Sequence, residues 1–88
     1  MSESQTATRM PPVEDVLGEV VATLTLAAHS YLEPSQGVEV DVEAAEIAID
    51  AAGAAFERVR SRLRPEQHTL LSGLLTSVRM SVVRKRGA

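Results

Sequence analysis

DVEAAEIAIDAAGAAFERVRSRL, residues 41–63, decides the fold. Its apolar residues Ala45, Ile49, Ala52, Phe56, Val59 and Leu63 are spaced 4, 3, 4, 3, 4. An α-helix returns a side chain to the same face every three or four positions, so this spacing draws one apolar stripe along a helix. Ala44, Ala48, Ala51 and Ala55 widen the stripe with methyl groups, which lets a neighbouring helix come close. Asp41 stands just ahead of the periodic run, where its carboxylate suits an N-cap. Glu43 and Glu46 follow at the positive end of the helix dipole and Arg58, Arg60 and Arg62 lie at the negative end. Gly53 interrupts the run at a cost of about 1 kcal/mol against alanine, and a close helix crossing there would account for it.

The flanking segments carry the same period. Val13, Leu17, Val20, Leu24, Ala27 and Tyr31 again fall at 4, 3, 4, 3, 4, with Val16, Val21, Ala28 and Leu32 broadening the face. The many Val and Thr residues would tolerate a strand, but strands usually run about 3–10 residues and this period lasts about 20. Glu14, Asp15 and Glu19 occupy the first turns. Glu33-Pro34-Ser35-Gln36-Gly37 is a turn by composition, and Val38-Glu39-Val40 leads on to Asp41. Pro65 opens a third helix at its first position, after Arg64, a poor N-cap. His68, Leu71, Leu75, Val78 and Val82 give its stripe, with Leu70 and Leu74 beside it. The prediction is an all-α, three-helix unit with helices at about 13–32, 41–63 and 65–85 in one domain over 13–86. Residues 1–12 are expected to form a flexible tail ending at Pro11 and Pro12.

Eighty-eight residues with one Phe, one Tyr and no Trp make a thin core of Val, Leu, Ile and Ala. Self-association or docking on a partner is therefore expected. No Cys is present, which rules out a disulfide framework and thiolate metal sites. The most apolar segment, Val20 to Ala28, is far short of the roughly 20 residues that span a bilayer, and the N-terminus lacks a secretory h-region. A cytoplasmic protein without membrane insertion is expected. Net charge is −3, with eleven of twelve acids in residues 1–57 and eight of nine bases in residues 58–88. Such asymmetry bears on partners rather than on fold.

Chemistry-bearing groups are sparse. His29 and His68 have no partner at metal-ligand spacing, so no metal and no cofactor is expected. Glu46 and Asp50, one turn apart, read as a solvated face rather than an acid–base pair. The serines lack a nucleophile motif and the glycines a phosphate loop, and no enzyme activity is expected. Arg79, Arg84, Lys85 and Arg86 form a basic patch, but no aromatic residue interleaves it for base stacking, so nucleic-acid binding ranks low. Apolar residues off the stripes are more informative. Leu26 shares a face with Asp15, Glu19, His29 and Glu33, while Met80 and Val83 share one with Thr69 and Thr76. Scattered exposed apolar residues are ordinary, but a thin core favours a second apolar surface used in association.

Helices two and three carry a resemblance to a family. Asp41, Val42, Ala44, Ala45, Ile49 and Asp50, then Pro65-Glu66, Leu74-Leu75, Val78-Arg79-Met80 and Val82, resemble the small bacterial proteins grouped as domain of unknown function 1844. The Ala27-Ala28-His29-Ser30-Tyr31-Leu32 run looks like that family's first helix. The likeness departs at Arg60-Ser61-Arg62-Leu63-Arg64, where the family tends to carry a Lys-Gly-Asn-like segment. Length and Ala/Arg-rich character look like a myxobacterial cell-polarity member. That resemblance implies two partners, a Ras-like GTPase (MglA-like) and a response-regulator scaffold (RomR-like), with exchange of GDP for GTP promoted at a cell pole. On this expectation Glu14, Asp15 and Glu19 compete with phosphate for the nucleotide pocket, while Leu26, Arg79, Met80 and Val83 bind the partner. The alternatives are a homodimeric scaffold without exchange activity and, lower, a nucleic-acid-binding protein.

Overall fold

The structure, a computed structural model, describes residues 9–35 and 39–87. It contains three α-helices in chain order: α1 at Val13–Tyr31, α2 at Val42–Val59 and α3 at Pro65–Gly87, with a 3-10 turn at Arg60–Arg62 between the last two. The Val-rich first segment is helical throughout. Residues 1–8 of the tail expected at 1–12, and the turn positions Gln36, Gly37 and Val38, lie outside the described residues.

Helix ends follow from local chemistry. The Asp41 carboxylate accepts from the Ala44 backbone N–H at 3.0 Å, as an N-cap should. Its own N–H donates to the Tyr31 carbonyl at 2.8 Å, which ties the end of α1 to the start of α2. The second helix stops at Val59, four residues before its predicted end at Leu63. Leu63 is extended (φ −78°, ψ 144°), two residues ahead of Pro65, whose ring disfavours helical backbone at Arg64. The preceding turn therefore tightens to 3-10 form. Arg64 has no capping side chain, yet its N–H is satisfied: Gln67 reaches back with Oε1 at 3.1 Å. That is the return half of a capping box, supplied by the third helical residue. The third helix then runs two residues beyond its predicted end, to Gly87.

Packing alternates in direction. Phe56 of α2 meets His68 at the start of α3, with ring centroids 5.3 Å apart. Glu46 near the start of α2 pairs with Arg86 at the end of α3. These two helices are antiparallel, as their short link predicts. Glu14 meets Arg62 and Asp15 meets Gln67, so α1 is antiparallel to α2 and parallel to α3. The α1–α2 interface is the most extensive.

Two apolar clusters make the core. One holds Ala28, Leu32, Ala45, Ala48, Ile49, Val78 and Val82; the other holds Val21, Ala52, Phe56, Leu71 and Leu75. Both predicted stripes on α2 and α3 face it, with His68 and Leu63 at its margin. The stripe on α1 does so only in part: Leu24 packs against both clusters, but the helix is rotated so that Gly18, Val21, Thr25, Ala28 and Leu32 point inward, while Val13, Val20 and Tyr31 are exposed. Apolar residues cover about half of this helix's circumference, so period alone cannot choose the seam. Close packing chooses it. A Cβ added at Gly18 would lie 3.6 Å from Leu71 Cδ1, and Thr25 is buried with its hydroxyl donating to the Ala22 carbonyl at 2.9 Å. Small residues at the seam let α1 approach both neighbours.

Candidate interaction surface

The charge halves of the sequence are not poles of the molecule. Because α2 and α3 run antiparallel, acids of the first half stand beside bases of the second. Arg62 Nε donates to Glu14 at 3.1 Å, Arg86 pairs with Glu46, and Arg60 pairs with Glu57 at 3.2 Å. Arg79 lies along the same α2–α3 groove, lined also by Glu46 and Asp50. Glu46 is half-buried beside this groove, not on a free solvated face as its spacing suggested. Each of these pairs is partly solvated and contributes little to stability, and of the basic patch they engage Arg86.

The sequence-proposed residues fall into two groups at different ends of the bundle. Glu14, Asp15 and Glu19 sit on the first turns of α1, next to the start of α3. Two of them are already engaged. Glu14 keeps only 23% of its side chain exposed beside Arg62, and Asp15 accepts from Gln67 Nε2 at 3.1 Å. Glu19 is exposed. Arg79, Met80 and Val83 sit on the C-terminal half of α3 and line a shallow apolar groove with Thr76 and Arg84. Leu26 lies between the groups along α1, one turn beyond Ala22, which faces a groove shared with Leu70 and Leu71.

Large apolar side chains stand in water on all three helices. Leu26 and Val83 are each 69% exposed and Met80 55%, and Ile47 and Leu70 join them. Leu70 and Ile47 are surface residues that the stripe reading passed over. Leu70 was placed beside the α3 stripe, and Ile47 lies opposite the α2 stripe between two residues of an acidic, alanine-rich run. Their signal was available in each case: a bulky apolar residue that its own helix's period does not need.

Gly53 is buried, but no backbone crosses close to it. A Cβ built there would meet Arg79 Nη2 at 2.7 Å and Arg79 Cζ at 4.0 Å. The guanidinium of Arg79 covers the glycine, so a long side chain rather than a neighbouring helix axis occupies the space.

His68 packs on Phe56, and His29 lines a groove with Glu33, Ser81 and Arg84. Among the described residues no three potential ligands cluster to hold a metal ion, and no helix is long and apolar enough to cross a membrane. No protein-family model, no curated protein and no solved structure matches this chain.

Proposed function

We propose that this chain is a non-enzymatic regulatory module that acts by contact with other proteins, as a component of a guanine nucleotide exchange complex on a Ras-like GTPase. The observation that carries the contact part is the set of large apolar side chains that the bundle leaves outside its own core, Leu26, Met80 and Val83 among them. The GTPase part rests on the sequence resemblance to the domain of unknown function 1844 family, and within it to the myxobacterial polarity protein RomX. An exchange factor needs no chemistry of its own. It needs a surface that binds the nucleotide-free GTPase better than the GDP-bound form, since only differential affinity shifts an equilibrium.

The geometry refines which residues can do this. Glu14 and Asp15 are held by Arg62 and Gln67, so Glu19 is the acid most available to a basic nucleotide pocket. Leu26 stands two turns along the same helix and supplies the apolar anchor, with Arg79, Met80 and Val83 as a second contact on α3.

The test is release of a fluorescent GDP analogue from an MglA-like GTPase, with a RomR-like response regulator present and absent. The expected result is faster release when this chain is added with the regulator. The gain should be lost in Leu26→Ala/Met80→Ala. Unchanged release under every combination would overturn the exchange reading. Charge reversal of Glu14, Asp15 and Glu19 together, with release still accelerated, would remove the acids from it.

A further inference from the structure

The outer side of α3 carries a line of side chains that no helix of the chain covers. Glu66, Leu70, Gly73, Ser77, Met80 and Arg84 follow one another at 4, 3, 4, 3, 4, and all six are exposed. That spacing is one helical seam. Leu70, at 62% exposure, is the most exposed leucine of this helix. A Cβ added at Gly73 would meet nothing within 4 Å. Nothing among the described residues therefore asks for glycine there, although it weakens the helix relative to alanine.

The line reads the same in class from either end: charged, large apolar, small, small, large apolar, charged. The two terminal charges are opposite in sign. Laid antiparallel on its own copy, it matches at every position. Glu66 faces Arg84 of the second copy, Leu70 faces its Met80, and Gly73 faces its Ser77. A parallel pairing would instead set Glu66 against Glu66 and Arg84 against Arg84. Both charges are free to make the contact. Neither belongs to an ion pair among the described residues, and Arg84 donates to Ser81 Oγ at 3.1 Å.

We propose that α3 is the seam of an antiparallel, two-fold homodimer with its axis at the level of Leu75. The matched stretch from residue 66 to residue 84 is about 27 Å long at 1.5 Å per residue. Gly73 and Ser77 at its centre let the two backbones approach, and the Leu70–Met80 pairs fill the space on either side. A two-fold axis makes each contact twice, so the two charge pairs close both ends of the seam. Leu26 stands on α1 one turn beyond Ala22, which lines a groove with Leu70. This inference does not rest on the nucleotide exchange reading, and a dimer that covers Met80 would leave Leu26, Arg79 and Val83 for the contact proposed there.

Sedimentation equilibrium of the full chain tests it, with far-UV circular dichroism as the control for folding. The parent should dimerise reversibly with concentration. Gly73→Leu has open space in the monomer, so it should fold normally and stay monomeric. Glu66→Arg and Arg84→Glu should each weaken dimerisation about tenfold, because each turns two exposed attractive pairs into repulsive ones. The double variant Glu66→Arg/Arg84→Glu should return to the parent's affinity, which only an antiparallel register allows. A parent that stays monomeric throughout, a dimer indifferent to Gly73→Leu, or a double variant weaker than either single one would each overturn the proposal.

Discussion

Replacing Gly53 by alanine sets two effects against each other, and the structure decides which wins. Alanine in a helix interior is favoured over glycine by about 1 kcal/mol. Gly53 is buried, so the added methyl would also leave water, adding up to about 0.8 kcal/mol. Against this stands the 2.7 Å approach to Arg79 Nη2. That atom is the far end of a flexible, exposed side chain, and no backbone atom of another described element lies within 4 Å of the new Cβ. Swinging the guanidinium into solvent costs less than about 0.5 kcal/mol, the scale of a weak surface contact. The net expectation is stabilisation by about 1 kcal/mol. In a chain of this size that raises Tm by about 4–8 °C, read by circular dichroism melting at a fixed protein concentration. Gly18→Ala is the companion, since its Cβ would make an ordinary 3.6 Å contact with Leu71 Cδ1. A lower Tm for Gly53→Ala beside a higher one for Gly18→Ala would refute the reasoning. It would mean that α2 and α3 cross there too tightly for a methyl group.

Leu75 is almost fully buried in the second cluster, so Leu75→Ala should cost about 2–5 kcal/mol in urea titration, enough to unfold much of so small a domain. Asp41→Ala removes the cap on Ala44 N–H and should cost about 1 kcal/mol in the same measurement. Thr25→Val deletes a buried hydroxyl whose acceptor is a helical carbonyl; it should stabilise by about 0.5 kcal/mol, while Thr25→Ala leaves a void and should destabilise by about 1 kcal/mol. Glu14→Gln loses the pair with Arg62 and should change stability by less than about 1 kcal/mol, with the difference vanishing in high salt.

Much of this fold is legible in residue order. On α2 the stripe from Ala45 to Val59 is narrow, its opposite side is acidic or methyl-sized apart from Ile47, and only one rotation buries it. On α3 Leu71, Leu75, Val78 and Val82 do the same. Helix α1 is different because its apolar residues are spread so widely that several rotations would bury a similar area. Gly18 and Thr25 lie off its predicted stripe and prove to face the neighbouring helices. The capping role of Gln67 was also present in the order Arg64-Pro65-Glu66-Gln67, where the third helical residue makes up for a cap without a capping side chain. Charge was the least legible property in space, since linear halves of opposite sign become neighbours once helices reverse direction. Of the proposed surface, exposure of Leu26, Met80 and Val83 followed from their being off the stripes. That Glu14 and Asp15 are occupied depended on tertiary contacts with Arg62 and Gln67, which no local pattern contains.

Of the seven buried positions of α2, four are alanine or glycine: Ala45, Ala48, Ala52 and Gly53. Such a helix holds its neighbours at short range, and enlarging Ala45 or Ala52 would force them apart at about 1–3 kcal/mol. Mutational drift is thus confined at the middle of the molecule and free at its circumference. A lineage of such chains would keep its small interior residues nearly fixed while its outward leucines, methionine and arginines changed allegiance from one partner to the next.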